Sequence, residues 1–322
     1  MKTPSRLYLM MLVAFGSVSA ASAAPKTVTK APPKITLIDS GAAPRKPLRL
    51  KFTKGDTQTV VVTMAQSQKV VVDGEPLPSV SVPQTIVTLK LHVESVRLDG
   101  EATLLMTIVD VHADADAKDA NPAMVAAFDD ALAPMSRVTG TFTMTSQGIF
   151  GSMTVKAPDD LPPGVDQMMD SFSQSMDQMS NPFPAEPVGL GATWSVLSDI
   201  DMLGIHVVAT RTFELSARDN DMVTLAVTGE VHPAPDSQKN IPGMPEGVAA
   251  KYDSLSASAH GSTVLNLRDS TPRSGEISEL VNVVTSGTNA GVDFKVDTQI
   301  DLKITIETPP PVAPETSVNK SK

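Results

Sequence analysis

The chain has 322 residues, a net formal charge of −10, 4% aromatic residues and no cysteine. Nucleic acid is not expected as a partner, because its recognition requires basic surfaces and aromatic rings that stack on bases. The lack of cysteine excludes disulfide bonds, thiolate chemistry and a lipid-modified cysteine, so burial of apolar side chains must hold the fold together.

The N-terminus has the pattern of a secretory signal peptide, which we assign to residues 1–23. Lys2 and Arg6 flank the start of a short apolar run, and Ala21-Ser22-Ala23 offers a small-residue cleavage site. The run is shorter than the roughly 20 residues of a membrane-spanning helix. We expect cleavage near Ala23 and an exported mature protein without a transmembrane segment, soluble in the periplasm or outside the cell. An uncleaved anchor helix is the alternative.

The segment that follows is rich in Pro, Ala and Lys and shows no period, which predicts a flexible basic linker at residues 24–47. From Ala24 to Lys54 there are eight basic residues and one acidic residue. This charge is either simply solvated or tethers the chain to an anionic surface such as lipid headgroups. At the other end, the Pro-rich residues 308–322 are predicted to form a disordered tail.

The body of the chain alternates apolar and polar residues with a period of two. The clearest stretch is Val292–Glu307, and residues 87–93 and 205–215 follow the same pattern. Such alternation indicates antiparallel strands with one buried face and one solvated face. Asp73-Gly74 and Asp99-Gly100 lie between apolar runs, where they predict tight hairpin turns.

An ungapped shift of 120 residues lays the second half of the chain on the first. Between residues 94 and 136 it gives nine identities, including Val111-His112 on Val231-His232. We interpret this as an internal duplication. The first β repeat, with two helices, is assigned to residues 48–186, and the second β repeat to residues 187–307.

Two segments have helical rather than strand periodicity. The first is residues 121–135, opened by Asn121-Pro122. The second is residues 166–180, and its apolar side chains are Met168, Met169, Phe172, Met176 and Met179. Methionine adapts to irregular apolar partners, so this second helix is either a contact surface for a ligand or plain core.

The predicted fold is mainly β. We expect an internally duplicated antiparallel sheet that forms a curved half-barrel or open barrel, with two short amphipathic helices against its concave side. No parallel α/β core is expected, because parallel strands buried on both faces would not alternate so cleanly.

Acidic residues and a histidine gather just before the first helix. Alternate positions of an extended chain point the same way, so His112, Asp114 and Asp116 are weak candidates for a metal site. A calcium loop would also need a glycine and a distal Glu, which are missing. The alternative is a polar turn before the helix. His112 and His232 occupy equivalent repeat positions, as either a paired site or an inherited turn.

Arg211 lies in the apolar phase of its predicted strand, between Ala209 and Phe213. A buried cation without a partner is costly. Arg211 therefore binds a structural partner through a salt bridge, extends its charge to an edge of the sheet, or lines a wet cavity.

Two motifs resemble those of a bacterial family of exported β-rich proteins of unknown function. The first is residues 48–56, which contain Lys54-Gly55-Asp56, and the second is residues 183–194, with a Pro-Val-x-x-Gly-x-x-Trp pattern. The resemblance covers most of residues 48–306 and implies a β-rich exported protein with no established catalytic residue. The glycine turns would launch the first hairpin of each half, and Trp194 would fill the join between the halves.

The usual catalytic and phosphate-binding signatures are missing from the sequence, so we expect neither an enzyme nor a cofactor. The leading hypothesis is a non-catalytic exported protein that binds a hydrophobic small molecule, a lipid or an envelope partner protein in the concave face of its sheet. Two alternatives stay open: a structural envelope protein without a ligand, and a metal-dependent hydrolase. The proposed ligand-binding residues are Met168, Met169, Phe172, Met176, Met179 and Arg211.

Overall fold

The computed structural model consists almost entirely of long antiparallel strands. It describes residues 26–28, 32–78, 80–81, 83–115, 122–156, 180–202, 205–235, 237, 241 and 248–309. The strands are β1 (Lys26–Val28), β2 (Lys34–Asp39), β3 (Thr57–Val72), β4 (Glu75–Pro76), β5 (Val80–Ser81), β6 (Thr85–Val96), β7 (Ala102–Ala113), β8 (Thr139–Met144), β9 (Phe150–Lys156), β10 (Thr193–Met202), β11 (Ile205–Asp219), β12 (Met222–Pro233), β13 (Val248–Asn266), β14 (Ser274–Asn289) and β15 (Val292–Glu307). Helix α1 (Pro122–Leu132) continues into a 3₁₀ turn at Ala133–Arg137.

All strands belong to one sheet, whose main path runs β1-β9-β8-β7-β6-β3-β15-β14-β13-β12-β11-β10-β2. Its two edge strands, β1 and β2, are consecutive in sequence. Val28 and Lys34 are separated by six peptide steps, and an extended chain of that length spans about 20 Å. The two edges must therefore lie close together, so the sheet is strongly curled although its edge strands do not pair.

The inner face of this curled sheet forms one large apolar core. Strands from both halves contribute to it, for example Leu89 of β6, Leu104 of β7 and Leu225 of β12, which are at most 2% exposed. The alternation predicted for Val292–Glu307, for residues 87–93 and for residues 205–215 is confirmed by β15, β6 and β11. A mainly β, open antiparallel sheet is therefore established.

One end of the curled sheet is closed by two crossing segments, residues 46–51 and residues 182–189, which pair with each other at Lys46 and Val188. Leu50 N–H donates to the carbonyl oxygen of Ser146 (2.7 Å), and Lys51 N–H donates to that of Leu267 (2.7 Å), so this segment bridges opposite walls. The fully buried Trp194 lies behind it and stacks on Phe213 with ring centroids 5.7 Å apart. Its indole N–H donates to the carbonyl oxygen of Pro182 (2.8 Å).

The tight turns follow the predicted chemistry. Asp73 and Gly74 both have positive φ, of 52° and 88°, at the β3–β4 turn, and Gly100 has a φ of 84° at the β6–β7 turn. Gly55 and Gly191 likewise adopt positive φ immediately before β3 and β10. These conformations favour glycine or a short polar residue.

The flexible linker predicted for residues 24–47 needs correction, because β2 lies inside it. Lys34–Asp39 pairs with β10, and Ile35 and Leu37 pack against the main core. Only two apolar residues of this short strand point inward. Two positions give too weak an alternation to predict a strand among the neighbouring prolines and lysines. The predicted signal peptide at residues 1–23, and residues 310–322 of the predicted tail, lie outside the described residues.

The first predicted helix is confirmed, and it covers the end of β7 at Ala113. Its buried side chains are Val125 and, from the 3₁₀ turn, Met135, whereas Met124 is 40% exposed. Asp129 Oδ1 accepts a hydrogen bond from Ala113 N–H (2.6 Å), which fixes the helix to the end of the strand. The second predicted helix, at residues 166–180, lies almost entirely outside the described residues. Within the described part of the chain, no helix has the length and apolar character needed to cross a membrane.

The strand bounds bear on the predicted duplication without establishing it. Strands β6 and β7 begin at Thr85 and Ala102, which are 120 residues before the first residues of β11 and β12, Ile205 and Met222. The pairs that follow differ strongly in length, since β8 has 6 residues and β13 has 19. A common origin of the two halves stays a prediction.

We expect Gly189→Ala to lower the free energy of unfolding by about 2–3 kcal/mol, the range of overpacked sites. Gly189 N–H donates to the carbonyl oxygen of Ser40 (2.9 Å), and a Cβ at this position would overlap the carbonyl oxygen of Ala42. Gly229→Ala is the control, because its Cβ would lie 3.5 Å from that of Ala259, an ordinary contact. Urea denaturation followed by circular dichroism measures both variants. Equal stability of the two variants would contradict the close packing of Gly189 against the backbone of Ala42.

Candidate functional site

A cavity of about 180 Å³ lies inside the curled sheet, between the main core and a second, smaller apolar cluster. The smaller cluster comprises Ile200, Ile205, Val207, Leu255, Ala257, Val281 and Val283. Strands β3 and β10–β15 provide the cavity walls, and residues 180–181 also border it. The site therefore belongs to the concave face, where a ligand was expected from the sequence.

The cavity exists because inward positions on neighbouring strands carry small residues, which leave space unfilled. Register places Arg211 opposite Gly229, Gly229 opposite Ala259, and Ala259 opposite Glu279. All four positions share the inward phase of their strands. The two middle positions carry at most a methyl group, so they form a floor with a long charged side chain at each end.

Arg211 occupies one end of this floor. Its Nη1 donates to the carbonyl oxygen of Ser180 (2.8 Å), and its guanidinium carbon lies 5.6 Å from the centre of the Phe213 ring. A Cβ at Gly229 would lie 3.6 Å from Arg211 Cγ, which shows that the aliphatic stem passes over the glycine. Arg211 thus has a structural partner, as one alternative predicted, and it also borders the cavity.

Glu279 occupies the other end of the floor. It is a partly buried residue on β14, between the inward-facing Ile277 and the buried Val281. Burial raises the pKa of the Glu279 carboxyl above its ordinary value, because desolvation disfavours the charged form. Within the described residues, this carboxyl has no hydrogen bond or ion pair.

Of the residues predicted to bind a ligand, Arg211 is the one within the described ranges, and it borders the cavity. Met168, Met169, Phe172, Met176 and Met179 lie outside the described residues. Sequence reasoning missed Glu279, although a signal was present. Its position in the apolar phase of Ile277, Val281 and Val283 is the same signal that drew attention to Arg211.

The weak metal candidates are not brought together among the residues that the structure describes. His112 Nδ1 lies 2.7 Å from Asp110 Oδ2 on the same strand, and His232 Nε2 lies 3.6 Å from Glu230 Oε2. Asp114 follows β7, while Asp116 lies outside the described residues. In the described ranges, no three His, Asp or Glu side chains are grouped to hold a metal ion.

The sequence comparisons lead to a family without an assigned function. A family of unknown function, DUF6263, matches residues 168–270, about a third of the chain. The match fits an uncharacterised β-rich family, as the motifs predicted, but it confirms neither those motifs nor export. No curated protein sequence matches the chain significantly.

Two solved structures align with the chain only weakly. Ail, the attachment invasion locus protein of Yersinia pestis, is 7% identical over 79% of this chain and 99% of its own, with a TM-score of 0.10. LpxR from Salmonella typhimurium is 9% identical over 76% of this chain and 99% of its own, with a TM-score of 0.11. Scores this low carry no argument about the fold or function of this chain.

We expect Glu279→Gln to stabilise the protein increasingly as the pH rises. A carboxyl whose pKa is raised in the folded state contributes its full stability below its unfolded pKa and loses it as the pH passes through the folded pKa. Glutamine cannot ionise and escapes this loss. The melting temperature of the variant should therefore exceed that of the wild type more at about pH 8 than at about pH 4.

Glu276→Gln is the matched control for this measurement. Glu276 lies three residues earlier on β14, with its side chain exposed and 3.0 Å from Lys303 Nζ. We expect a smaller difference from the wild type, without the same rise with pH. If both variants behave alike, the effect does not come from burial of Glu279.

Proposed function

We propose that this protein is a non-catalytic binding protein, and that it holds a small hydrophobic molecule in the cavity between β3 and β10–β15. The observation that carries the proposal is the internal volume of about 180 Å³ on an otherwise well-packed concave face. A dry apolar cavity of about 150 Å³ accepts a molecule the size of benzene. The ligand should therefore be about as large as one ring or a short alkyl chain.

This size narrows the partners that the sequence left open. A complete lipid would not fit, so a lipid or partner protein could insert only a chain end or one side chain. Apolar burial contributes about 25 cal/mol per Å², which gives a ligand this small roughly several kcal/mol before the costs of association. We therefore expect a weak affinity, on the order of millimolar.

The energetic cost of the cavity argues against a purely structural role. An unfilled cavity lowers the stability of a fold because the side chains that line it lose packing contacts. Larger side chains at Gly229 or Ala259 would recover part of that stability. A bound ligand gives a reason for the small residues, whereas a structural envelope protein gains nothing from them.

The metal-dependent hydrolase receives no comparable support. Its candidate residue His112 contacts Asp110 near the exposed end of β7. The cavity lies elsewhere in the sheet and is lined mainly by apolar side chains. We therefore retain the non-catalytic proposal.

We further propose that the protein is exported to the periplasm or beyond the cell. The support is the charged start, short apolar run and small-residue site within residues 1–23. N-terminal sequencing of protein from fractionated cells should find a start near Ala24. An intact Met1 in the membrane fraction would contradict export with cleavage.

The binding proposal predicts that hexan-1-ol raises the melting temperature of the wild type and that Ala259→Leu abolishes this rise. The leucine would project from the cavity floor and occupy the volume that the probe needs. Because it also fills empty space, the variant without probe should be at least as stable as the wild type. Differential scanning calorimetry with increasing probe concentration measures both effects.

Ser256→Leu is the control for this experiment, since Ser256 lies on the exposed face of the same strand. We expect this variant to respond to hexan-1-ol like the wild type. The proposal fails if the wild type shows no saturable response, or if Ala259→Leu binds the probe as well as the wild type does.

A further inference from the structure

The floor of the cavity presents an ionisable group that the packing alone does not explain. Glu279 shares a transverse row with Ala259 on β13 and Leu302 on β15, and both directly opposite side chains are apolar. Neither offers a hydrogen-bond donor from its side chain. A carboxyl in this position is costly unless it stays protonated, is hydrated or meets a donor that enters the cavity.

The other charged groups around the cavity do not take the place of such a donor. The titratable side chains that border it in the described part of the chain are Arg211, Glu230 and Glu279. Arg211 lies on β11, three strands away from Glu279 on β14. Its guanidinium donates a hydrogen bond to the carbonyl oxygen of Ser180. Glu230 is an exposed residue whose carboxylate lies near His232.

We infer that the ligand is an amphipathic primary amine, whose ammonium group contacts Glu279 while its apolar body lies over Gly229 and Ala259. This inference rests on the proposed function, because it names the chemical class that the same cavity takes. An ammonium group supplies up to three donors and the opposite charge. A body of ring or short-chain size matches the floor between the two charged ends.

Charge and shape together define this class. The body gains apolar contact with Ile277 and Ile304, which border the cavity on β14 and β15. Burial raises the pKa of Glu279, and an amine that binds as an ammonium ion should reverse this effect by favouring the carboxylate. A ligand carboxylate next to Glu279 would meet like charge and could bind well only by turning toward Arg211.

Three probes with the same six-carbon chain test the inference: hexylamine, hexan-1-ol and hexanoate. At neutral pH, titration calorimetry of the full mature chain should show that hexylamine binds at least tenfold more tightly than hexanoate. Glu279→Gln should weaken hexylamine at least tenfold and change hexan-1-ol less than twofold. Glu276→Gln, on the outer face of the same strand, should leave all three affinities unchanged.

The outcomes separate this inference from the proposed function. If hexan-1-ol binds and Ala259→Leu blocks it, but hexylamine has no advantage or ignores Glu279→Gln, the cavity binds ligands and the amine class is wrong. If hexanoate binds most tightly and loses affinity in Arg211→Gln, the polar head belongs at the other end and the inference is overturned. If no probe binds the wild type, both proposals fail. Circular dichroism of each variant verifies that it is folded.

Discussion

Every long strand of this protein has one apolar face, and without disulfide bonds that face is the main source of stability. A single open sheet can bury it only by curling until the face covers itself. The two edge strands, β1 and β2, lie close together, and Trp194, which stacks on Phe213, helps fill the closed end. The outer face of β13 carries Ser256, Ser258 and His260, so the polar phase faces solvent.

The same packing accounts for the position of the cavity. Where large residues line the inner face, as at the closed end, the core is continuous. Where the inner phase carries Ala209, Gly229, Ala257 and Ala259, the facing walls lie too far apart for these side chains to fill the space. The core then divides into two clusters with a cavity between them. The proposed binding site thus depends on small residues, in a scaffold that large residues stabilise elsewhere.

The sequence predicted the faces of the strands well and their register poorly. Alternation was enough to locate Val292–Glu307 to the residue, and Asp-Gly pairs located two turns. Alternation also placed Arg211 and Glu279 on inner faces, but their common row depends on the pairing of four consecutive strands, which a period of two does not specify. The strand Lys34–Asp39 was missed because a six-residue edge strand gives too few alternations to outweigh nearby prolines and lysines.

At the cavity floor, the proposed binding role and the stability of the fold favour different residues. A carboxyl that is desolvated without a partner lowers the stability of the folded state at neutral pH, while the small residues beside it leave volume unfilled. A merely structural sheet would be more stable with an apolar side chain at Glu279 and larger ones at Gly229 and Ala259. Binding sites commonly show this trade-off, because the features that receive a ligand are strained or unsatisfied until it arrives. Substitutions at this row should therefore separate stability from the proposed binding. A change that stabilises the empty protein should also lower the affinity for the proposed ligand.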